Sequence, residues 1–160
     1  MKVGVLALQG ASARHVAMLA RLDTPAVAVR TPRDLDGVDA VVLPGGESTT
    51  MSMLLESSEL FPALADRLAG GMPAFGTCAG MILLGREILD GRSDQRCFDA
   101  IDIRVRRNAF GRQVDSFEAD LPVDGRPVLC RRGPVLVAAF HPELGDDPRL
   151  HELFLNEVTR

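Results

Sequence analysis

The sequence predicts an α/β fold in which a mostly parallel central sheet is covered by helices on both faces and carries an antiparallel extension. Three observations predict it. Over the first half of the chain, short apolar runs alternate with helical patterns. Those runs are apolar throughout rather than every second residue, as strands buried on both faces of a parallel sheet are. After Gly91 the texture changes to alternating apolar and polar residues, the pattern of half-exposed antiparallel strands.

The elements follow in order. "KVGVLAL" (2–8) is a first strand, stopped by Gly10. "SARHVAMLARL" (12–22) has apolar residues at 13, 16, 17 and 20, one helical face, with Ser12 placed to cap it. "AVAVR" (26–30) and "DAVVLP" (39–44) are the second and third strands, the latter halted by Pro44 and the pair Gly45-Gly46. Residues 48–57 and 59–69 are helical. "MPAFGT" (72–77) is the fourth strand and runs into a helix from about Ala79 to Glu87. "FDAIDIRVRRNAF" and "QVDSFEADL" are expected as antiparallel strands. "RPVLCRRG" and "PVLVAAF" form a strand pair closed by Gly133-Pro134, and "DPRLHELFLNEVTR" is a final helix with apolar residues at 150, 153, 154 and 158.

With 160 residues and no internal repeat or linker, residues 1–160 are expected to form a single domain. A net charge of −4 removes the electrostatic reason for a nucleic-acid partner or an anionic membrane. No apolar run approaches the length of a membrane span, and the apolar N-terminus is too short for a signal peptide. Three cysteines with no C-x-x-C spacing argue against a disulfide framework or a zinc site, so a reducing cytoplasm is expected and no metal is.

The chemistry starts at "PAFGTCAGM" (73–81), where a buried strand ends in a thiol flanked by Gly76 and Gly80. A strand can turn sharply into a helix only if small residues crowd the turn. The G-x-C-x-G spacing therefore predicts a nucleophile elbow with Cys78 at the start of the next helix. There the helix dipole and unpaired N–H groups favour the thiolate. "AAFHPEL" (138–144) supplies a partner: His141 to move the proton and, two residues on, Glu143 to orient the imidazole. The backbone N–H of Ala79 is one oxyanion donor. "LPGGES" (43–48), another glycine turn between strand and helix, offers a second at Gly46. That stretch is too short for a dinucleotide fingerprint, and no cofactor is expected. His15 and His151 fall inside helices and are expected to be solvated or to serve packing.

With these residues in place, a resemblance becomes specific. "PGGES", "FGTCAGM" and "FHPE" in this order resemble the class I, triad-type glutamine amidotransferases, whose fold is flavodoxin-like. More narrowly, "LALQG", "LPGGESTTM", "FGTCAGMILL", "RRNAFGRQVDSFEADL" and "FHPELGDDPRLHELF" are similar to the glutaminase subunit of pyridoxal 5′-phosphate synthase, and these blocks cover most of the chain.

The resemblance implies hydrolysis of L-glutamine to L-glutamate and ammonia by Cys78, His141 and Glu143. It implies a glutamine pocket lined by Gly46, Glu47 and Ser48, with Arg107 binding near the substrate α-carboxylate. It also implies a synthase subunit as partner, docked over the edge that holds Gln9 and Gly10 and needed to switch the glutaminase on. A glutaminase for a different synthase and a catalytically silent scaffold are the alternatives. The chain departs from the family pattern between "SFEADL" and "RPVLCRRG": Leu121 is followed within a few residues by Arg126, where family members carry a longer segment.

Overall fold

The computed structural model describes residues 1–107 and 128–158. "QVDSFEADL" and the short 121–126 segment lie outside them. Eight strands and five helices are described: β1 Val3–Leu6, α1 Ser12–Arg21, β2 Ala26–Val29, β3 Ala40–Leu43, α2 Ser48–Ser57, α3 Leu60–Ala69, β4 Ala74–Thr77, α4 Ala79–Leu84, β5 Gly85–Ile88, β6 Ile101–Val105, β7 Leu129–Arg132, β8 Val135–Ala138 and α5 Arg149–Val158.

Six strands form one sheet in the order β2-β1-β3-β4-β8-β7. Its first five strands are parallel and β7 is antiparallel to β8 at the edge. Strands β1, β3, β4 and β8 are buried at every position. Their side chains divide by parity, as the two-residue period of a strand requires. Leu6, Val41, Leu43, Ala74, Val135 and Val137 join the core beneath α2, α3 and α4, with Met51, Leu55, Leu64 and Leu84. Val3, Val5, Ala40, Val42, Phe75, Leu136 and Ala138 join a second core with Leu19 of α1 and Phe154 of α5. The sheet is thus the middle of three layers.

Four details differ from the sequence expectation. The α1 cap is Ala11, with Ser12 already helical and no side-chain capping bond. The buried face of α1 is His15, Met18 and Leu19, while Ala13, Ala17 and Ala20 are exposed. Three alanines carry too little apolar area to compete with Met18 and Leu19 for the core. Helix α4 ends at Leu84 rather than near Glu87, because Gly85 adopts extended backbone and starts β5. Finally, β6 is half-exposed as its pattern predicts, but it pairs parallel with β5 in a separate two-stranded sheet. Side-chain alternation reports exposure and carries no information on strand direction.

Candidate active site

The strand order sets four strand ends side by side along the carboxyl edge of the sheet, the edge where open α/β sheets place their sites. Gln9 and Gly10 follow β1, Gly45 and Gly46 follow β3, Cys78 follows β4 and His141 follows β8. The β4–β8 register pairs Thr77 with Ala138, and the Cys78 N–H donates to the Ala138 carbonyl at 2.8 Å. Cys78 and His141 meet for that reason, although 63 positions separate them in the chain.

The elbow glycines have a measurable purpose. A Cβ on Gly80 would sit 2.0 Å from the Leu43 carbonyl oxygen, and one on Gly76 would sit 2.7 Å from the Gly80 backbone. Only bare backbone lets α4 start this close to β3 and β4. Cys78 itself takes φ +48 and ψ −103, a conformation L-residues seldom adopt. Such a residue stores on the order of 1–3 kcal/mol of strain, held by its surroundings.

His141 Nδ1 lies 2.8 Å from Glu143 Oε1. Hydrogen bonds with Cys78 and with Glu143 raise the His141 pKa to about 10, against the opposing effect of burial. The imidazole is therefore a cation at neutral pH, and a cation beside a thiol favours the thiolate. Glu143 is fully buried. Burial works to raise its pKa, but the bond from His141 and the neighbouring histidines outweigh this and hold it below the ordinary carboxylate range. The imidazole ring packs on the glycine turn: a Cβ on Gly45 would meet His141 Cε1 at 2.0 Å.

That turn is tied to the first strand. The Gly45 carbonyl accepts from Ala11 N–H at 3.2 Å, and the Glu47 N–H donates to the Gln9 side-chain carbonyl at 2.9 Å. Gly10, at φ +93, leaves no room for a Cβ, which would fall 1.9 Å from the Gly45 oxygen. Ser48 is buried in the first turn of α2, and Ala79 is buried at the start of α4. Glu47 caps α2, accepting from Thr49 N–H at 3.0 Å and from Thr50 N–H and hydroxyl at 2.7 and 2.8 Å. Partial burial opposes its ionisation, but the bonds from Thr50 and Thr49 hold its pKa at about 2.

Arg107, just past β6, reaches across to pair with Glu47 Oε1 at 3.1 Å. Its backbone N–H is held by Asp90 at 2.6 Å, and its guanidinium also contacts Gln95. Each residue singled out in the sequence is therefore near the same edge. Cys78, His141 and Glu143 form one group, and Gly46, Glu47 and Arg107 form a second beside it.

The sequence reading missed what lies behind Glu143. His15 and His151 are both fully buried, and His15 Nδ1 is 2.9 Å from His151 Nε2. His15 Nε2 is 3.2 Å from Thr77 Oγ1 and 3.4 Å from Glu143 Oε2. A signal was available: His15 stands with Met18, Leu19 and Leu22 at helical spacing, one stripe of large side chains. Among the described residues no cluster of His, Cys, Asp or Glu fits a metal ion, and no helix is long and apolar enough to cross a membrane.

The sequence pattern of the SNO glutamine amidotransferase family matches residues 5–126. The pyridoxal 5′-phosphate synthase subunit PdxT of Mycobacteroides abscessus is 47% identical over 186 aligned positions, covering 98% of this chain and 96% of its own. The protein of that name from Corynebacterium jeikeium is 44% identical over 191 positions, covering 100% and 98%. Both alignments run longer than the 160 residues here. A crystal structure of a glutamine amidotransferase superposes with a TM-score of 0.87 at 40% identity, covering 99% of each chain. A DJ-1 superfamily protein of Salmonella typhimurium, at 17% identity and a TM-score of 0.54 over 98% of this chain and 91% of its own, shares the fold alone. The likeness to the amidotransferases runs through sequence and structure over almost the whole length, and the chain belongs to the SNO glutamine amidotransferase family.

Proposed function

We infer that the chain is the glutaminase subunit of a pyridoxal 5′-phosphate synthase, hydrolysing L-glutamine to L-glutamate and ammonia for a synthase partner. The observation that carries this is the Cys78 elbow facing an imidazole that hydrogen bonds with Cys78 and Glu143 hold as a cation, within a chain 47% identical to a PdxT subunit.

The Cys78 thiolate attacks the side-chain carboxamide carbon of glutamine. The carbonyl oxygen takes up negative charge as the C–S bond forms, and backbone N–H groups of Ala79 and Gly46 receive it. The C–N bond then breaks, His141 giving its proton to the departing ammonia, and a γ-glutamyl thioester remains. His141, now neutral, takes a proton from water, whose oxygen attacks the thioester carbon. The C–S bond breaks, glutamate leaves, and thiolate and imidazolium are restored. No step calls on a cofactor.

Arg107 receives the α-carboxylate of glutamine and Glu47 its α-ammonium group, while Gly46 and Ser48 line the pocket. The Arg107–Glu47 pair supports this reading, because a zwitterion replaces such a pair with two matched contacts. The partner acts through Gln9 and Gly10. The bonds Ala11–Gly45 and Gln9–Glu47 couple the end of β1 to the two peptides that flank Gly46, the first of which carries the Gly46 N–H. A subunit bound there selects the orientation in which that N–H meets the oxyanion.

One missing donor of this kind costs about 10²–10³ in kcat, so the isolated chain is expected to be slow and the complex faster by that order. The test is glutamate release by the purified chain, then with excess synthase subunit. A rate already fast alone and unchanged by the partner would refute the switch, and no release in either state would refute the glutaminase.

A further inference from the structure

The triad carboxylate has two oxygens, and the mechanism uses one. Glu143 Oε1 accepts from His141. Oε2 is fully buried, outside good hydrogen-bond geometry with any described donor, and 3.4 Å from His15 Nε2. A buried carboxylate oxygen left without a donor is costly, so the nearest donor decides how Glu143 is held. Five groups converge there from four elements: His15 on α1, Thr77 on β4, His141 and Glu143 after β8, and His151 on α5. The Phe75 ring packs edge-on against both inner histidines.

The protonation of this cluster follows from its contacts. Burial, together with the nearby His141 and against the pull of Glu143, lowers the His15 pKa to about 4. Burial and His15 do the same for His151, also to about 4. Both are neutral at pH 7, and each carries one N–H. A lone pair on His15 Nε2 would face the anionic oxygen of Glu143, so the proton sits on Nε2. His15 Nδ1 is then an acceptor and takes the Nε2–H of His151 at 2.9 Å. This leaves a lone pair on His151 Nδ1, which has no partner among the described residues; an unpaired buried acceptor is tolerated better than an unpaired N–H.

We propose that His15 is a positioning residue of the triad: its Nε2–H, oriented by His151 and shared with Thr77, holds the second oxygen of Glu143 and thereby fixes the carboxylate that orients His141. The proposal rests on Cys78, His141 and Glu143 being the catalytic group. His15 touches no reacting atom and acts through Glu143. It explains why α1, whose other large buried residues are apolar, commits a polar side chain to the core beneath the site. The Nε2–H dipole acts across 3.4 Å on a carboxylate already bonded to His141, an electrostatic contact beside its hydrogen bond with Thr77.

The experiment compares His15→Phe, which fills the space without a donor, with His15→Gln, whose side-chain amide places an N–H near Nε2. Each is assayed for glutamate release in complex with the synthase subunit, with thermal unfolding as the check on folding. The expected result is a kcat lower by up to about 10²-fold for His15→Phe, the cost of a misplaced catalytic group, with KM unchanged and most of the rate restored in His15→Gln. Wild-type kcat in a folded His15→Phe would overturn the proposal, as would equal losses in both variants. Should His15→Phe not fold, ¹⁵N-resolved imidazole spectra of the wild-type chain decide. A neutral Nε2–H tautomer at His15 whose resonance shifts in Glu143→Gln supports the proposal, and an Nδ1–H tautomer or a cation at pH 7 refutes it. A wild-type complex that releases no glutamate would instead sink the glutaminase reading, and the spectra are independent of that outcome.

Discussion

Glu143 and Glu47 are both carboxylates held ionised beside the same strand ends, and they are held by opposite means. Glu143 is buried, and its two oxygens face His141, two residues before it, and His15 of α1. Glu47 is exposed and is fixed by the backbone N–H groups and hydroxyl of the helix it caps. The first arrangement is rigid and shielded from water, as suits a group that must present one imidazole in one orientation. The second keeps a charge ready at the surface and pairs it with Arg107. Under the proposed function the difference separates the chemistry from the capture of substrate, and each side should respond to substitution in its own way.

The largest effect is expected on the buried side. Cys78→Ala should abolish glutamate release, with the unfolding midpoint at or above that of the wild type, because alanine removes the thiol without adding a Cβ where there was none. Next, His141→Asn should lower kcat at least as far as Glu143→Gln, since the imidazole moves the proton and the carboxylate orients it. Losses on the order of 10²–10⁴ are expected for an orienting carboxylate. A Glu143→Gln variant slower than His141→Asn would show that the roles are reversed.

On the exposed side the signature should change from kcat to KM. Arg107→Ala removes a charge-assisted contact made equally to substrate and transition state. Its loss is worth about 1.5–3 kcal/mol, which is about 10–150-fold in KM, with kcat little changed. An unchanged KM would return Arg107 to the role of a charge that caps Glu47 and nothing more.

Acid should sharpen the same contrast in stability. His15 and His151 titrate near 4 in the folded chain and near the ordinary 6.5 when unfolded. Between those values the unfolded chain binds more protons. Stability should therefore be full above about pH 6.5 and fall as the pH drops toward 4, by at most about 1.4 kcal/mol per pH unit for each histidine. Glu47, held at a pKa of about 2 from an ordinary 4.5, adds to the loss only as the pH approaches the ordinary value from above. Thermal unfolding between pH 7 and about 5.5 should thus show a falling midpoint that flattens in His151→Phe, while Glu47→Gln leaves the slope in that range unchanged. A flat wild-type profile would mean that the buried histidines are charged or exposed.

Much of this was legible in the sequence because the residues that carry it are local. Gly76, Cys78 and Gly80 lie within five positions, His141 and Glu143 within three, and apolar runs mark the strands whose ends they occupy. The His15–Glu143 contact was not legible, because it joins residues 128 positions apart and depends on α1 packing beside the end of β8. The direction of β6 was equally hidden, since alternation is the same for either pairing. The α1 face was misread because alanines counted as much as leucines in the periodicity, whereas burial follows area.

In the proposed function the Cys78 sulfur, activated by His141, takes the glutamyl group. Incubation with a glutamine-like diazo-ketone or chloro-ketone, followed by peptide mass spectrometry, tests it most directly. The expected result is one equivalent of label on Cys78, slower labelling in Arg107→Ala and His141→Asn, and protection by L-glutamine. Label on Cys97 or Cys130 with Cys78 unmodified would contradict it.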